Sequence, residues 1–380
     1  MTTSVLIGIP CLMTGGTEIQ TLRLVEALSA GGYHCVTVCY FEYDYTMVQR
    51  FEKAGSRVVC LSAYGRRPEG NRKVYRFLKE GLRRVVDEYR PKIAHVQYMA
   101  PGAMPIAILK RLGIKKIIAT LHTDADIYKS LRLIHCLQRR HTVAFTCVTE
   151  KAERSFFGSS SLYDKDLALK HHNHFTIHNC LPPALGSTTT RKAEQPADAH
   201  HDTTIGLVAR LESIKGADFA LPAFAKVLKA NPDCRLRIVG DGKLREMMDR
   251  QQQELGIDES RIEWIGRVEY HKLPELYSSM DIVWVPSRSE GFGLSAIEAM
   301  ACGCAVIASA TGGLTEIVND GTDGLLFKSG DTDDLADKTA RLLSNPEQLN
   351  QLRTNAQATA HQYTFDRYRD NILNLYAKLD

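Results

Sequence analysis

Two glutamates, Glu290 and Glu298, stand eight positions apart with a glycine-containing loop between them. An apolar strand leads into this loop and an apolar helix follows it, so free backbone N–H groups are expected at the start of the helix. Such groups bind anions, and the neighbouring carboxylates can accept hydrogen bonds from sugar hydroxyls. The spacing therefore predicts a nucleotide-sugar pocket. A second interpretation is a capping box, in which Ser295 and Glu298 only close the first turn of the helix.

Two cations, Arg210 and Lys215, follow a strand predicted at 204–209 and precede Gly216. A guanidinium offers a planar fork of donors and an ammonium offers a point charge, and the two together suit a diphosphate. The alternative is a solvated loop whose charges bind no ligand.

Two further candidates follow strands in the first half of the chain. His122 directly follows the strand predicted at 116–121, and polar residues at such strand ends line ligand clefts in parallel α/β sheets. Gly15 and Gly16 follow the first strand and open the first helix, where glycine allows a phosphate or a sugar to approach the backbone closely. The alternative for His122 is a buried, hydrogen-bonded histidine without a role in binding. The alternative for Gly15 and Gly16 is an ordinary turn.

Three short motifs could bind a metal, but each has a simpler explanation. Asp124 and Asp126 form an Asp-x-Asp pair, the segment 171–174 contains three histidines, and Cys302 and Cys304 are separated by one residue. No second cysteine pair completes a zinc set, and the histidines fall in a polar stretch. We therefore expect no metal and no cofactor.

The composition indicates a globular protein without a membrane span. With 44% hydrophobic residues among 380, the chain can build the cores of two or three domains. No run of about 18 apolar residues appears, and residues 1–9 have a strand pattern without the basic region of a signal peptide. The ten cysteines are scattered through apolar segments, which indicates reduced thiols and a cytoplasmic location.

The net charge of +4 conceals an asymmetry between the two halves of the chain. Residues 1–180 contain 26 Lys and Arg against 15 Asp and Glu, whereas residues 181–380 contain 22 against 29. The densest basic segment, 66–92, has apolar residues at helical spacing and predicts an amphipathic basic helix. Its basic face is either an ordinary solvated surface or a contact for an anionic membrane. In the second case the protein would be peripheral at the inner face of that membrane. We expect no nucleic-acid partner, because no aromatic interleaving or binding motif accompanies the charge.

Apolar strands alternate with helices on both sides of a polar, aperiodic stretch at 186–202. This alternation predicts the α/β class, with two doubly wound parallel sheets whose strands bind ligand at their carboxyl ends. We expect domains at 1–180 and 181–362, and a helix within 363–380 that crosses back to the first domain. The predicted strands are 5–12, 35–41, 57–61, 93–96, 116–121, 143–149, 175–178, 204–209, 235–239, 261–265, 282–285 and 305–308. The predicted helices include 18–30, 105–112, 128–140, 217–230, 243–255, 272–280 and 365–379.

Together these segments resemble the retaining GT-B glycosyltransferases of family 4, also called glycosyl transferases group 1, over nearly the whole chain. The matching pieces are the loop 15–18, His122, Arg210 with Lys215, the element 290–298, and the segments 312–318 and 320–324. The paired glutamates and the Arg–Lys pair indicate this family only when they occur together. One segment departs from the family, because Cys180 follows Asn179 where a Pro-Asn-Gly pattern is common at the domain junction.

The resemblance implies a GT-B architecture, with two Rossmann-like domains facing a central cleft, and a donor diphosphate held by several groups. Arg210 and Lys215 would neutralise the diphosphate as it leaves, and Gly15 and Gly16 would approach it from the N-terminal domain. The backbone amides expected to hold the sugar and the phosphate are those of Gly291, Phe292, Gly293, Leu294 and Ser295.

The resemblance also implies how the rest of the donor is bound. Glu290 would bind hydroxyls of the donor sugar, and His122 would contact that sugar near the reacting centre. Glu298 would hold the ribose, with the backbone at Arg267 and Val268 near the base.

The implied activity is a metal-independent hexosyl transfer from a nucleoside-diphosphate sugar to a glycan or lipid-linked acceptor, in cell-surface polysaccharide or glycolipid biosynthesis. The acceptor is expected on the more basic N-terminal domain. Retention in this family is attributed to front-face attack assisted by the leaving phosphate, so Glu290 is not assigned as a nucleophile. A sugar-nucleotide epimerase and a non-catalytic sugar-nucleotide-binding subunit stay open as alternatives. A dehydrogenase is disfavoured, because the segment 240–242 lacks the third glycine of a dinucleotide fingerprint.

Overall fold

The computed structural model describes residues 3–63, 65–98, 103–128, 130–166, 169, 173–183, 185 and 203–379. The chain divides into two compact units. Unit 1 consists of Met1–Cys180 together with Phe365–Asp380, and unit 2 consists of Leu181–Thr364. The polar stretch 186–202, and His171 and His172 of the histidine motif, lie outside the described residues.

Unit 1 is built on a parallel sheet, which has seven strands within the described residues. The strands are β1 (Ser4–Ile9), β2 (His34–Cys39), β3 (Ser56–Cys60), β4 (Ile93–Gln97), β5 (Lys116–Leu121), β6 (Ala144–Cys147) and β7 (His174–Thr176). Their order in the sheet is β3-β2-β1-β4-β5-β6-β7. Most of these strands are buried apolar runs, as expected for a sheet that helices cover on both faces.

The helices of unit 1 cover the two faces of this sheet. They are α1 (Gly16–Ala30), α2 (Tyr45–Lys53), α3 (Asn71–Tyr89), α4 (Ala103–Arg111), α5 (Arg132–His141), α6 (Glu150–Phe157) and the C-terminal helix (Phe365–Ala377). A core that includes Leu6, Val36 and Phe145 from the strands packs against Leu78 and Leu82 of α3. The C-terminal helix packs against α1.

Unit 2 repeats the same architecture with a sheet that has six strands in the described part of the chain. Its strands are β8 (Thr204–Val208), β9 (Arg235–Val239), β10 (Ile262–Gly266), β11 (Ile282–Val285), β12 (Ala305–Ser309) and β13 (Leu325–Phe327), in the order β10-β9-β8-β11-β12-β13. Its helices are α7 (Ala220–Ala230), α8 (Arg245–Glu254), α9 (Leu273–Ser278), α10 (Leu294–Ala301), α11 (Leu314–Ile317), α12 (Thr332–Leu343) and α13 (Pro346–Ala360). Trp284 and Phe224 lie in its core.

In both sheets the strand order reverses beside the first strand of the unit. This point lies between β1 and β4 in unit 1 and between β8 and β11 in unit 2. Loops that leave two such neighbouring strands run to opposite faces of the sheet, so a crevice opens at the carboxyl ends of the strands. The crevice of unit 2 positions the candidate site.

The sequence prediction of two doubly wound parallel sheets is confirmed. The strands predicted at 116–121, 235–239 and 282–285 have the predicted bounds. The predicted start of α5 at residue 128 is wrong, because Tyr128 has extended backbone dihedrals and the helix begins only at Arg132. β13 and the helices α6, α11, α12 and α13 were not predicted from the sequence.

The predicted amphipathic basic helix is confirmed as α3. Its basic side chains are exposed, namely those of Arg72, Lys73, Arg76, Lys79, Arg83 and Arg84. Its apolar side chains are buried in the core of unit 1 or packed against it. Among the described helices, α3 included, none has the length and apolar character needed to cross a membrane.

Candidate functional site

The reversal point of unit 2 brings Lys215 and Glu290 into contact. Lys215 follows β8 and Glu290 follows β11, and Nζ of the lysine lies 2.7 Å from Oε2 of the glutamate. The hydroxyl of Ser287 donates to the same carboxylate oxygen at 3.1 Å. Both charged side chains stay partly exposed, at 26% for Lys215 and 14% for Glu290. A ligand that approaches this crevice can therefore reach a cation and a carboxylate together.

Backbone packing fixes the loop that carries Lys215. The loop ends in a short 3-10 turn, Ser213–Lys215, and Gly216 follows with φ of 65°. A Cβ on Gly216 would lie 1.9 Å from the carbonyl oxygen of Pro286, which immediately follows β11. Only glycine fits there, because both the left-handed backbone and the close approach exclude a side chain.

Arg288 ties the two loops together. Its guanidinium donates two hydrogen bonds to Asp218, at 2.6 and 2.5 Å, and a third to the carbonyl oxygen of Ser213 at 2.5 Å. The same guanidinium lies over the ring of Phe219, 3.9 Å from its centroid. The hydrogen bond to Asp218 raises the pKa of Arg288. This bidentate, stacked arrangement holds the Lys215 loop against the loop that carries Glu290.

The glycine loop after β11 leads into α10 as predicted. Gly293 directly precedes α10, and Phe292 is buried against Tyr363 with ring centroids 5.7 Å apart. The loop is supported from behind by Gly312, whose Cβ, if present, would lie 1.9 Å from the carbonyl oxygen of Glu290. Ser295 lies partly exposed in the first turn of α10, where backbone N–H groups are available to an anion.

Glu298 does not form the capping box that was the alternative interpretation. It is buried on α10, and it accepts hydrogen bonds from the hydroxyls of Tyr270 at 2.5 Å and Tyr277 at 3.3 Å. Tyr270 begins the 3-10 turn that follows β10, and the half-buried Val268 lies in the same loop. The carboxylate of Glu298 is thereby linked to the loop expected to lie near the base.

Arg210, the other predicted phosphate ligand, pairs with Glu212 and not with Glu290. Its side chain is 55% exposed, and its guanidinium pairs with Glu212 at 3.0 Å. Both residues sit in the loop after β8. Only Nη1 of Arg210 contacts Glu212, so the rest of this exposed guanidinium can still donate to a diphosphate.

In unit 1, Gly15 and Gly16 stand at the start of α1. Gly15 occupies the position before the helix, and its backbone is extended. Glu18 in the first turn is buried and accepts a hydrogen bond from the thiol of Cys11 at 3.2 Å. Burial, and next the charge of Glu18, raise the pKa of Cys11 to about 12.

His122 follows β5 and is buried, at 8% exposure. Its Nε2 lies 2.8 Å from Oε1 of Gln97, at the end of β4. The ring of Tyr98 packs on it with centroids 5.5 Å apart. Burial lowers the pKa of His122 to about 3, so the ring is neutral at physiological pH.

A row of buried polar groups extends from His122 along the same face of the sheet. His95 bonds Tyr376 of the C-terminal helix at 2.9 Å and Thr120 at 2.6 Å, and Thr120 in turn bonds Thr146 at 2.7 Å. A cavity of about 20 Å³ lies among these groups, with Gln20, Asn179 and Tyr368 also in its wall. A polar space of this size is large enough for one water molecule.

The three possible metal motifs do not assemble a ligand set in the described residues. No group of three or more His, Cys, Asp or Glu side chains there is arranged to hold an ion. Asp126 is exposed, and Cys304 is buried with its thiol donating to the carbonyl oxygen of Tyr277 at 3.0 Å. Burial raises the pKa of Cys302 to about 12, so this thiol stays protonated.

Comparison with known proteins identifies the family. The model described as "Glycosyl transferase 4-like domain" matches residues 15–156, and the model "Glycosyl transferases group 1" matches residues 189–359. Together they span most of the chain. The chain belongs to the family 4 glycosyltransferases.

Curated relatives of this glycosyltransferase include two proteins named D-inositol 3-phosphate glycosyltransferase. The protein from Segniliparus rotundus is 28% identical over 313 residues, which are 76% of this chain and 67% of the relative. The protein from Saccharomonospora viridis is 35% identical over 191 residues, 48% of this chain. The second match spans only 43% of that relative's length.

Solved structures of Anabaena Alr3699/HepE, in complex with UDP and with UDP-glucose, share the fold. Their TM-scores are 0.78 and 0.76 at 18% identity; the first match covers 100% of both chains, and the second covers 99% of both. The GT-B architecture predicted from the sequence, with two parallel-sheet α/β domains, is confirmed.

Several groups that shape the site of this glycosyltransferase were not predicted from the sequence. Arg288 and Asp218 form the clamp between loops, Tyr270 and Tyr277 hold Glu298, and Gln97 bonds His122. Only Gln97 could have been found from the sequence around it. Gln97 and His95 are polar residues two positions apart in an otherwise apolar strand, so they lie on the same face of the sheet. The other four contact their partners through tertiary structure.

Proposed function

We propose that this glycosyltransferase transfers a hexose-type sugar, with retention of configuration, from a nucleoside-diphosphate sugar to a glycan or lipid-linked acceptor. The observation that carries the proposal is the pair of Lys215 and Glu290, 2.7 Å apart at the reversal point of unit 2 and beside the start of α10. A cation, a carboxylate and free helix amides in one crevice fit a phosphorylated sugar.

The diphosphate is assigned to Lys215, to Arg210 and to the backbone amides from Gly291 to Ser295. Negative charge grows on the nucleoside diphosphate as the sugar–phosphate bond breaks. Fixed cations and helix-terminal N–H groups stabilise that charge more in the transition state than in the bound substrate. This stabilisation needs no metal ion, and we propose a metal-independent reaction.

The sugar and the nucleoside are assigned to the carboxylates. Glu290 accepts hydrogen bonds from sugar hydroxyls, and Glu298, held by Tyr270, accepts from the ribose. The backbone near Val268 lies beside Tyr270 in sequence and is assigned to the base. Because solved neighbours contain UDP and UDP-glucose, uridine is the first base to test.

Unit 1 is assigned to the acceptor and to further substrate contacts. Gly15 and Gly16 are assigned to a phosphate, and His122 to a sugar hydroxyl. The exposed basic face of α3 is proposed to contact an anionic membrane surface, which would keep the protein peripheral. The apolar side of α3 belongs to the protein core, so this contact is electrostatic and shallow.

A ligand screen tests the donor assignment. Thermal unfolding is measured with UDP, GDP and ADP and their common sugar conjugates, each with and without EDTA. A ligand at 100 times its Kd should stabilise the protein by about 2.7 kcal/mol. Stabilisation by one nucleotide series, unchanged by EDTA, supports the proposal, whereas no stabilisation by any of them contradicts it.

A product assay separates transfer from the alternatives. Incubation of the stabilising nucleotide sugar with candidate glycan and lipid acceptors should release the nucleoside diphosphate and form a product of unchanged anomeric configuration. An altered sugar that stays attached to its nucleotide would instead indicate an epimerase. Binding without any turnover would indicate a non-catalytic subunit.

A further inference from the structure

We infer that Gln97 is a positioning residue for His122, which it holds in the tautomer that carries its proton on Nε2 and leaves Nδ1 as a hydrogen-bond acceptor. This inference rests on the proposed function only where it assigns a sugar hydroxyl to His122. The tautomer itself follows from the geometry at the end of β4.

Gln97 fixes the direction of its hydrogen bond with His122. Oε1 of Gln97 lies 2.8 Å from Nε2 of His122, and an amide oxygen can only accept. Nε2 must therefore donate. A neutral imidazole has one N–H and one lone pair, so Nδ1 is left as the acceptor.

The ring of His122 is neutral, and its Nδ1 is available to a ligand. Within the part of the chain that the structure describes, the titratable side chains that line the cavity beside His122 or pack on its ring are His95, Tyr368 and Tyr98. Burial lowers the pKa of His95 to about 3 and raises the pKa of Tyr368, so neither is charged near neutral pH. Within the described residues, Nδ1 of His122 has no hydrogen-bond partner. An acceptor at this position suits a substrate hydroxyl, which donates.

Tyr98, the residue after Gln97, fixes the plane of the His122 ring at a conformational cost. Tyr98 has φ of 69°, a left-handed backbone that side-chain-bearing residues rarely adopt. Its backbone N–H donates to the carbonyl oxygen of Thr120 at 3.0 Å, and its ring packs on His122. Strained backbone of this kind is typical of sites where geometry serves function. Gln97 and Tyr98 thus hold the imidazole from its edge and from its face.

The tautomer is tested on the full chain by nitrogen NMR with 15N-labelled histidine. The His122 signals are identified by their loss in His122→Asn. In the wild type they should show the Nε2–H tautomer and no titration between pH 5.5 and 8. Gln97→Met keeps the length of the side chain but removes the acceptor, and should shift His122 toward the other tautomer. Gln97→Glu keeps the acceptor, adds a charge, and should raise the pKa of His122.

The consequence for catalysis is tested by turnover of UDP-glucose. Gln97→Met should lower kcat by roughly tenfold to hundredfold with a smaller change in KM, as when a catalytic histidine loses the partner that sets its tautomer. Gln97→Glu should recover much of the rate and add a new ionisation to the pH profile. Thr120→Val, which removes a buried hydrogen bond of His95 from the same cavity, serves as the control and should not change the His122 tautomer.

The inference is overturned if His122 keeps the Nε2–H tautomer in Gln97→Met, or if kcat of that variant stays within twofold of wild type. Failure of the wild type to turn over UDP-glucose would count against the proposed function with that donor, while the NMR result would still decide the role of Gln97. If Gln97→Met does not fold, the pKa of His122 in Gln97→Glu decides.

Discussion

The ammonium group of Lys215 and the carboxylate of Glu290 form an ion pair of 2.7 Å across 75 positions of sequence. Each residue follows a different strand on either side of the reversal point in unit 2. The proposed function makes these two groups compete, because the diphosphate assigned to Lys215 and the carboxylate of Glu290 would both bind the same ammonium group. A sugar hydroxyl that donates to Glu290 would replace the hydrogen bond that Lys215 no longer donates to this carboxylate.

Lys215→Ala and Glu290→Ala should each lower transfer by about a hundredfold or more, the scale of removing one transition-state donor. Both side chains are partly exposed, so the free energy of unfolding should change by no more than about 1 kcal/mol. Steady-state transfer and urea unfolding of the purified variants measure the two effects. Lys226→Ala, which breaks an exposed pair with Asp333, is the control. Wild-type turnover in either site variant contradicts the role given to that residue.

Arg288→Lys should impair the enzyme almost as much as Arg288→Ala. An ammonium group cannot reproduce the two parallel hydrogen bonds to Asp218 or the stacking on Phe219. We expect a loss of about 1–2 kcal/mol in stability and a weaker affinity for the nucleotide, because the Lys215 loop loses its tether. Full nucleotide affinity in Arg288→Lys, measured by calorimetry, would show that the clamp is not needed.

Tyr270→Phe and Tyr277→Phe should affect different properties of the protein. We expect the first to lower nucleotide affinity and the second to lower the free energy of unfolding. Tyr277 is completely buried, so loss of its hydroxyl leaves the buried Glu298 less well satisfied, at a cost of about 1–3 kcal/mol in stability. Tyr270 is partly exposed, and its loss should mainly lower nucleotide affinity, by about tenfold. Urea unfolding and nucleotide titration of both variants test this contrast. Equal effects on both quantities would contradict it.

His95 and His122 make the stability of unit 1 sensitive to acid. Burial lowers the pKa of each ring to about 3, whereas the unfolded rings titrate near 6.5. Below pH 6.5 the unfolded chain takes up protons that the folded chain does not, so the free energy of unfolding falls as the pH drops from about 6.5 toward 3. Above this window the two rings have no effect.

Each ring contributes a slope of up to about 1.4 kcal/mol per pH unit within that window. His95→Gln removes one of the two titrating groups. Between pH 7.5 and 5.5 it should therefore lose about 1 kcal/mol less stability than the wild type. Urea unfolding at the two pH values gives the comparison, and an identical loss in both proteins would refute the assignment.

Reversal of three charges on α3, by Arg76→Glu, Lys79→Glu and Arg83→Glu, should abolish sedimentation with phosphatidylserine vesicles at low salt. Each basic residue near such a surface contributes about 1 kcal/mol, and salt screens the attraction. The charge-matched control reverses Lys229, Arg250 and Lys272, exposed residues of unit 2. If the wild type shows no preference for anionic vesicles, the membrane proposal fails.

The sequence predicted the fold well because apolar runs and helical spacing report burial directly. β5, β9 and β11 have the predicted bounds, since each is a short segment with buried apolar residues between turn residues. The predicted start of α5 is too early because the sequence pattern at Tyr128 is that of a helix. The backbone of Tyr128 is nevertheless extended. The starts of α12 and α13 do carry a sequence signal, since Asp331 and Asn345 cap them.

The residues proposed for substrate were easier to find than the residues that hold them. Glu290 and Lys215 stand out by charge next to glycine at strand ends. The partners of Glu298 are tyrosines 28 and 21 positions away, in a turn and a short helix that sequence alone does not bring together. Positioning contacts of this kind depend on tertiary structure and leave little local trace.

The chain enters unit 2 after Cys180 and returns to unit 1 at Phe365. A ribosome therefore finishes all of unit 2 before it makes the helix that carries Tyr376, the partner of His95. Until then the polar row behind His122 lacks one wall and is open to water. Unit 2 can fold during synthesis as a continuous segment, whereas unit 1 reaches its final packing only after unit 2 has been made.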